Sequence, residues 1–220
     1  MSAASAPDVI APPKVSADEF LAAAKYRRSV YALKGTSHVP DSRIEELVRE
    51  VISFSPSSYN TQPSRYTLVL GEKHKQFWDI VLETAEPMLK GAGPGVWESL
   101  EPRFQAFKAA YGSVLFWVRG ESIRESQETH KSAAHLFDTF ADHASGMAQI
   151  LVWTALELEG FGGNLQHIGA MPPVEDALKK FLGVPNDYSL KANLVFGEEA
   201  QPHPEIPTKL PIEETLTVLK

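Results

Sequence analysis

From Ala133 to Glu159 the chain carries a long helical pattern, and from Met147 onward apolar residues stand on several sides of it. A helix that is apolar all round is either a core helix or one side of a subunit interface. A second constraint is Ser113-Val114-Leu115-Phe116-Trp117-Val118, a continuous apolar run that reads most simply as a buried strand. With 220 residues, 43% of them hydrophobic, the chain suits one substantial domain better than two small ones.

The remaining elements follow from local pattern. Residues 1–15, rich in Ala, Ser and Pro, read as a flexible leader, and 16–220 as a single domain with a C-terminal arm. Ser16-Ala17-Asp18-Glu19 has capping-box spacing, which predicts a helix with Phe20, Leu21 and Ala24 facing a core and Arg27-Arg28-Ser29 at its end. Pro40-Asp41-Ser42 opens a second helix on the stripe Ile44, Leu47, Val48, Val51, and Pro56 stops it. Tyr66 to Leu70 is β-rich. A third helix is expected over 73–84, after which Pro87 and Gly91-Ala92-Gly93-Pro94-Gly95 predict a loop or mobile lid, with Trp97 placed to roof a pocket. Residues 174–182 read as a short helix, 190–196 as the last confident strand, and Thr215 to Leu219 as an exchanged edge strand.

Composition removes several functions. The net charge of −7 disfavours nucleic acid. Without cysteine there is no disulfide, thiolate metal site or cysteine nucleophile, so redox chemistry would need a bound cofactor. No apolar run is long enough to span a bilayer, and the N-terminus lacks the form of a secretory signal. The expectation is a soluble protein of the cytoplasm, with the nucleus also open, and no membrane partner.

Three polar blocks stand out. Arg27-Arg28-Ser29 gathers two guanidinium groups and a hydroxyl, a set suited to a phosphate. Taken alone, it reads more readily as a basic helix end that complements the macrodipole. Ser57-Ser58-Tyr59-Asn60-Thr61-Gln62-Pro63 offers enough donors and acceptors to read the edge of a heterocycle, yet taken alone it reads more readily as a polar connection capping its neighbours. Gly160-Phe161-Gly162-Gly163-Asn164 lacks the preceding strand and glycine spacing of a dinucleotide fingerprint. It is either a turn ending the long helix or a place where backbone comes close to a flat ligand.

The order of these blocks, RRS, then P-S-S-x-N-x-Q-P from Pro56 to Pro63, then G-x-G after the long helix, resembles the nitroreductase family, and most closely its fungal branch. The resemblance implies an α+β fold: a three-layer α/β/α domain with a mainly antiparallel sheet, in an intertwined homodimer. It implies FMN at the dimer interface, with Arg27, Arg28 and Ser29 at the phosphate and ribityl end. Pro56, Ser57 and Ser58 would come from the other subunit, with Asn60 and Gln62 nearby. Asn164, Leu165, Gln166 and His167 would lie along the isoalloxazine ring, and Lys209 would complete the phosphate site where the family often has arginine. NADH or NADPH would reduce the flavin, and a nitroaromatic, quinone or similar electron-poor small molecule would then reoxidise it, in ping-pong order. The alternative within the same resemblance is a flavin-binding stress-response or regulatory protein with little reductase activity. No side chain is expected to be catalytic in its own right.

Two positions depart from the family pattern. Tyr31 stands where a cation near the flavin pyrimidine edge is usual, with Lys34 and Arg65 as candidate substitutes, and Ser64 replaces a tryptophan. His135, Asp138, Asp142 and His143 are spaced for one helix face, but without a second cluster they are read as a polar face and no metal is expected. His130 and His203 have no recognisable partners, and Trp78, Trp117 and Trp153 are expected in the core or at an interface.

Overall fold

The computed structural model describes residues 14–220, so most of the expected leader lies outside the described residues. In chain order the elements are α1 (Ala17–Tyr26), β1 (Leu33–Lys34), α2 (Asp41–Phe54), β2 (Ser64–Leu70), α3 (Gly71–Ala92), α4 (Val96–Lys108), β3 (Gly112–Arg119), α5 (Gly120–Thr129), α6 (Phe137–Leu158), β4 (Gly162–Gln166), α7 (Pro172–Leu182), β5 (Tyr188–Glu199) and α8 (Ile212–Thr215). Every strand pairing is antiparallel. β5 is the centre of the sheet, with β3 and then β2 on one side and β4 and the short β1 on the other.

The apolar run in β3 is continuous because both of its faces are covered. Leu115 and Trp117 point into a core closed by α3, α4 and α7. Val114 and Phe116 point the other way, against α2 and α6. Alternate side chains of one strand thus serve two helical layers, the expected three-layer α/β/α arrangement. α6 buries Ala148, Val152, Trp153 and Leu156 against the sheet and leaves Met147, Ile150 and Leu158 exposed. One side of the long helix is therefore core, and the described residues leave Met147, Ile150 and Leu158 on the other uncovered.

Three expectations fail. The segment after Thr84 is not a loop or lid. α3 runs through Pro87 to Ala92, and α4 follows after a turn at Gly93 to Gly95. Pro87 is exposed, so the carbonyl it leaves unpaired is open to water, while Ala85 and Leu89 on the opposite side are buried; packing outweighs the proline. Trp97 is 6% exposed and packs on Phe104, so it is core rather than a roof. The capping box on α1 forms as expected, yet no residue of α1 is buried, and Phe20 and Leu21 are exposed. The C-terminal segment forms α8 and pairs with no strand among the described residues, with Thr215 to Leu219 exposed, so an exchanged edge strand would have to pair with a partner subunit. No described helix is long and apolar enough to cross a membrane.

Candidate functional site

Arg27 to Val30 lie along β4, so two blocks remote in sequence meet. Ser29 bridges Gly163, the Val30 N–H donates to the Gly163 carbonyl at 2.8 Å, and Asn164 Nδ2 donates to the Val30 carbonyl at 2.7 Å. A Cβ on Gly162 would stand 2.9 Å from the Val30 Cβ, so glycine there lets the segments touch. The glycine pair thus makes room for the Val30, Glu199 and Trp153 side chains and the Val195 carbonyl. Asn164 is fully buried and Gln166 Nε2 donates to its Oδ1 at 2.8 Å, so both amides tie the block together. Leu165 packs on the α2/α6 core, and His167 is exposed on the turn after β4.

The two arginines divide. Arg28 curls back on α1 and donates to the carbonyls of Lys25, Tyr26 and Arg27, the macrodipole role anticipated for a basic helix end. Arg27 instead lies over the Trp153 indole, its guanidinium carbon 4.3 Å from the ring centroid. Its Nε is buried without a hydrogen-bond partner, as is that of Arg28. No acceptor or acid among the described residues pairs with the Arg27 fork. A half-buried cation left this way is a ready anion site.

Beneath it sits Glu157, 2% exposed, which sequence reasoning missed. Its Oε2 accepts from the Arg28 backbone N–H at 2.8 Å and its Oε1 from Trp153 Nε1–H at 2.7 Å. Burial pushes its carboxyl up to about 7, against the pull of those two donors and of the His203 and Arg27 charges. The available signal was an acid four residues after Trp153 on an apolar helix face, where unpaired charge is costly. His203 was missed too. Its ring stacks flat on Tyr26 at 4.3 Å, with Nδ1 2.7 Å from Glu199 Oε1 and Nε2 2.8 Å from the Tyr26 carbonyl. Burial draws its pKa down, but Glu199, that carbonyl and Glu157 outweigh the effect and leave it raised.

The second polar block is elsewhere. Pro56, Ser57, Asn60 and Gln62 line a cleft of about 550 Å³ that extends to Arg65 and to Ala144 of α6. Ala144 and Glu157 are thirteen residues apart on one helix, about 20 Å at the helical rise. One subunit therefore does not bring the two blocks together. Here Ser57 Oγ accepts the Gln62 N–H at 2.9 Å, and the Ser58 carbonyl accepts the Thr61 N–H and hydroxyl. Three non-glycine residues, Tyr59, Asn60 and Gln62, hold positive φ of 54°, 53° and 47°. Such backbone persists where the surroundings over-determine it. The Tyr59 ring is 62% exposed and stacks on His130 at 4.4 Å, so His130 does have a partner.

The sequence profile of the nitroreductase family matches residues 24–198. The chain belongs to the nitroreductase family. In Saccharomyces cerevisiae the nitroreductase FRM2 is 33% identical over 201 residues, 89% of this chain and 92% of FRM2, and HBN1 is 34% identical over 178 residues, 80% and 86% respectively. The solved nitroreductase CinD from Lactococcus lactis, in complex with nicotinic acid, superposes with a TM-score of 0.80 at 30% identity, over 91% of this chain and 100% of that one. Complexes of CinD with chloramphenicol and with 4-nitrophenol match equally widely. A more distant fold relative from Desulfovibrio desulfuricans, 18% identical with a TM-score of 0.65, was solved with FMN.

Tyr31, at the position where the family often has a cation, is exposed beside Phe107, 6.3 Å between rings. Arg65 donates to the Gln62 and Ser64 carbonyls, which commits it to its own turn, whereas Lys34 is exposed on β1. Lys209 lies in the exposed C-terminal segment and pairs with none of the described residues. Among the described residues no three His, Asp or Glu side chains gather for a metal. Asp142 instead pairs with Lys191 at 2.8 Å, and Asp138 accepts from Gln127.

Proposed function

We propose that this protein is an FMN-dependent NAD(P)H oxidoreductase that reduces nitroaromatic, quinone or similar electron-poor compounds. The observation that carries the reading is Arg27, a cation laid on Trp153 with its Nε buried and unpartnered and its fork unclaimed among the described residues. That arrangement fits the FMN phosphate, with Ser29 as a short donor and Lys209 as a point charge brought in by the arm. The edge of β4 from Asn164 to His167 would run along the flavin ring. FMN bound there would supply the redox chemistry, taking a hydride from NADH or NADPH and passing the electrons on to the acceptor. The chain's own groups bind, orient and exclude water; none is placed as a general acid. CinD, at 30% identity, has been crystallised with 4-nitrophenol and chloramphenicol, both of which carry a nitrophenyl group, and this supports the substrate class.

The site also calls for a second copy of the chain. Pro56, Ser57, Ser58, Asn60 and Gln62 are too far from Arg27 within one subunit, and a two-fold partner would bring them to the ring. The uncovered Met147, Ile150 and Leu158 of α6, Ile52 and Phe54 of α2, and Phe20 and Leu21 of α1 are the apolar surface such a partner would bury. Thr215 to Leu219 would then be free to pair with the partner. A second reading, a flavin-binding regulatory or stress-response protein with little turnover, draws on Tyr31 standing in place of a cation.

One experiment tests both. The purified protein reconstituted with FMN should show the oxidised flavin spectrum, and mixing with NADPH or NADH in a stopped-flow instrument should bleach it within seconds. Bound flavin that no nicotinamide bleaches would favour the regulatory reading. A protein that binds no flavin would overturn both.

A further inference from the structure

We propose that Glu157 is a positioning residue for the anion site at Arg27, and that a phosphate occupying that site drives uptake of a proton by Glu157. The inference rests on the flavin reading above. One carboxylate makes both contacts that shape the site. Its Oε2 holds the Arg28 backbone at 2.8 Å, and its Oε1 holds at 2.7 Å the indole on which Arg27 lies. Both contacts need only acceptor oxygens, which a neutral carboxylic acid still offers. Protonation therefore keeps the scaffold and removes a buried negative charge next to the anion.

The surroundings favour such a response. Glu157 faces Arg27 and Arg28 at the end of α1 and His203 from the C-terminal segment, with Glu199 of β5 behind that histidine. At the same end of α6, Arg43 is committed to Glu159 and Glu46, and His38 to the Glu159 carbonyl and Glu198, so neither pairs with Glu157. Glu157 is thus the acid buried directly under the two arginines. Burial already brings its proton affinity close to neutrality. A dianionic phosphate over Arg27 adds a like charge, which raises that affinity again, so binding draws a proton from solvent. FMN affinity should then fall as pH rises above neutral. Loss of the His203 proton at higher pH works in the same direction, so a variant must isolate the carboxylate.

The test titrates FMN, and riboflavin as the phosphate-free probe, into flavin-stripped protein while following flavin fluorescence. Between about pH 6.5 and 8.5 the wild-type Kd for FMN should rise by about tenfold, the Glu157→Gln variant by less than about threefold, and riboflavin should show neither trend. Calorimetry of FMN binding to the wild type near pH 7.5, in two buffers of different ionisation enthalpy, should report net proton uptake, and riboflavin none. This second measurement stands even if Glu157→Gln does not fold. The sign is diagnostic, because a phosphate pressed against arginine by itself releases protons. Equal pH slopes in wild type and variant, or no uptake on binding FMN, would overturn the coupling and leave the flavin reading intact. Failure to bind FMN at any pH would instead overturn that reading.

Discussion

Arg27 and Arg28 are neighbours in sequence and have separate tasks in the fold. Arg28 spends its guanidinium on the last carbonyls of α1, while Arg27 rests on Trp153 with its fork free. Arg27→Ala should therefore purify with less than about a tenth of the wild-type flavin, since it removes a charge-assisted fork. Arg28→Ala should keep most of its flavin and lose about 1 kcal/mol of stability with the helix cap. Flavin content by absorbance and urea midpoints separate the two, and unchanged flavin in Arg27→Ala would remove the phosphate assignment. The RRS motif was legible in the sequence, but this division was not, because it depends on Trp153, which reaches the site only when α6 docks against α1. Glu157 was illegible for the same reason. An acid near a helix end looks solvated until β4 and α1 close over it.

The elements were easiest to read where pattern and packing agree. β3 needs apolar residues on both faces and has them, and the α2 stripe matches its buried face at Ile44, Val48 and Val51. Reading failed where local breakers compete with tertiary contact, as at Pro87 and the α4 turn, because burial of Leu89, Trp97 and Phe104 lies beyond any window of sequence. The C-terminal segment is tied to the fold by the Ala200 N–H to the Ala32 carbonyl and by His203. In His203 both ring nitrogens face acceptors, and only the imidazolium can donate from both. Its raised pKa means that the folded chain holds this proton more tightly than the unfolded chain does. The stabilisation is fully present below the unfolded value and is lost as pH rises through the folded one. The arm should accordingly become more open to limited proteolysis after residue 203 as pH rises above neutral. His203→Ala should be cleaved readily at every pH, and equal, pH-independent cleavage of both proteins would show that the histidine anchors nothing.

Across the whole molecule, two buried groups oppose one another in the pH dependence of stability. His74 of α3 is fully buried, with Nε2 2.9 Å from the Phe107 carbonyl, and burial drives its pKa down to about 4. Its folded value lies below its unfolded one, so its contribution is present above the unfolded value and lost as pH falls toward 4. Glu157 has the reverse sign. Its folded value, about 7, lies above the unfolded one, so its contribution is complete at low pH and disappears as pH rises to neutrality. Each is worth about 3 kcal/mol at most across its window. Between about pH 4.5 and 6.5 the unfolded chain binds the extra proton at histidine while the folded chain binds it at the glutamate, and the two slopes cancel. Urea unfolding of the wild type should then be nearly flat over that range and weaken toward pH 7. Glu157→Gln should gain stability steadily as pH rises from about 4.5 to 6.5, exposing the histidine slope alone. His74→Gln, which keeps a donor for the Phe107 carbonyl, should lose stability steadily over the same range. The two groups sit in opposite helical layers, one under α4 and the other between α1 and β4, without shared partners, so their effects should add. A double variant as flat as the wild type, but without its fall toward neutrality, would complete the case; slopes of the opposite sign in either single variant would break it.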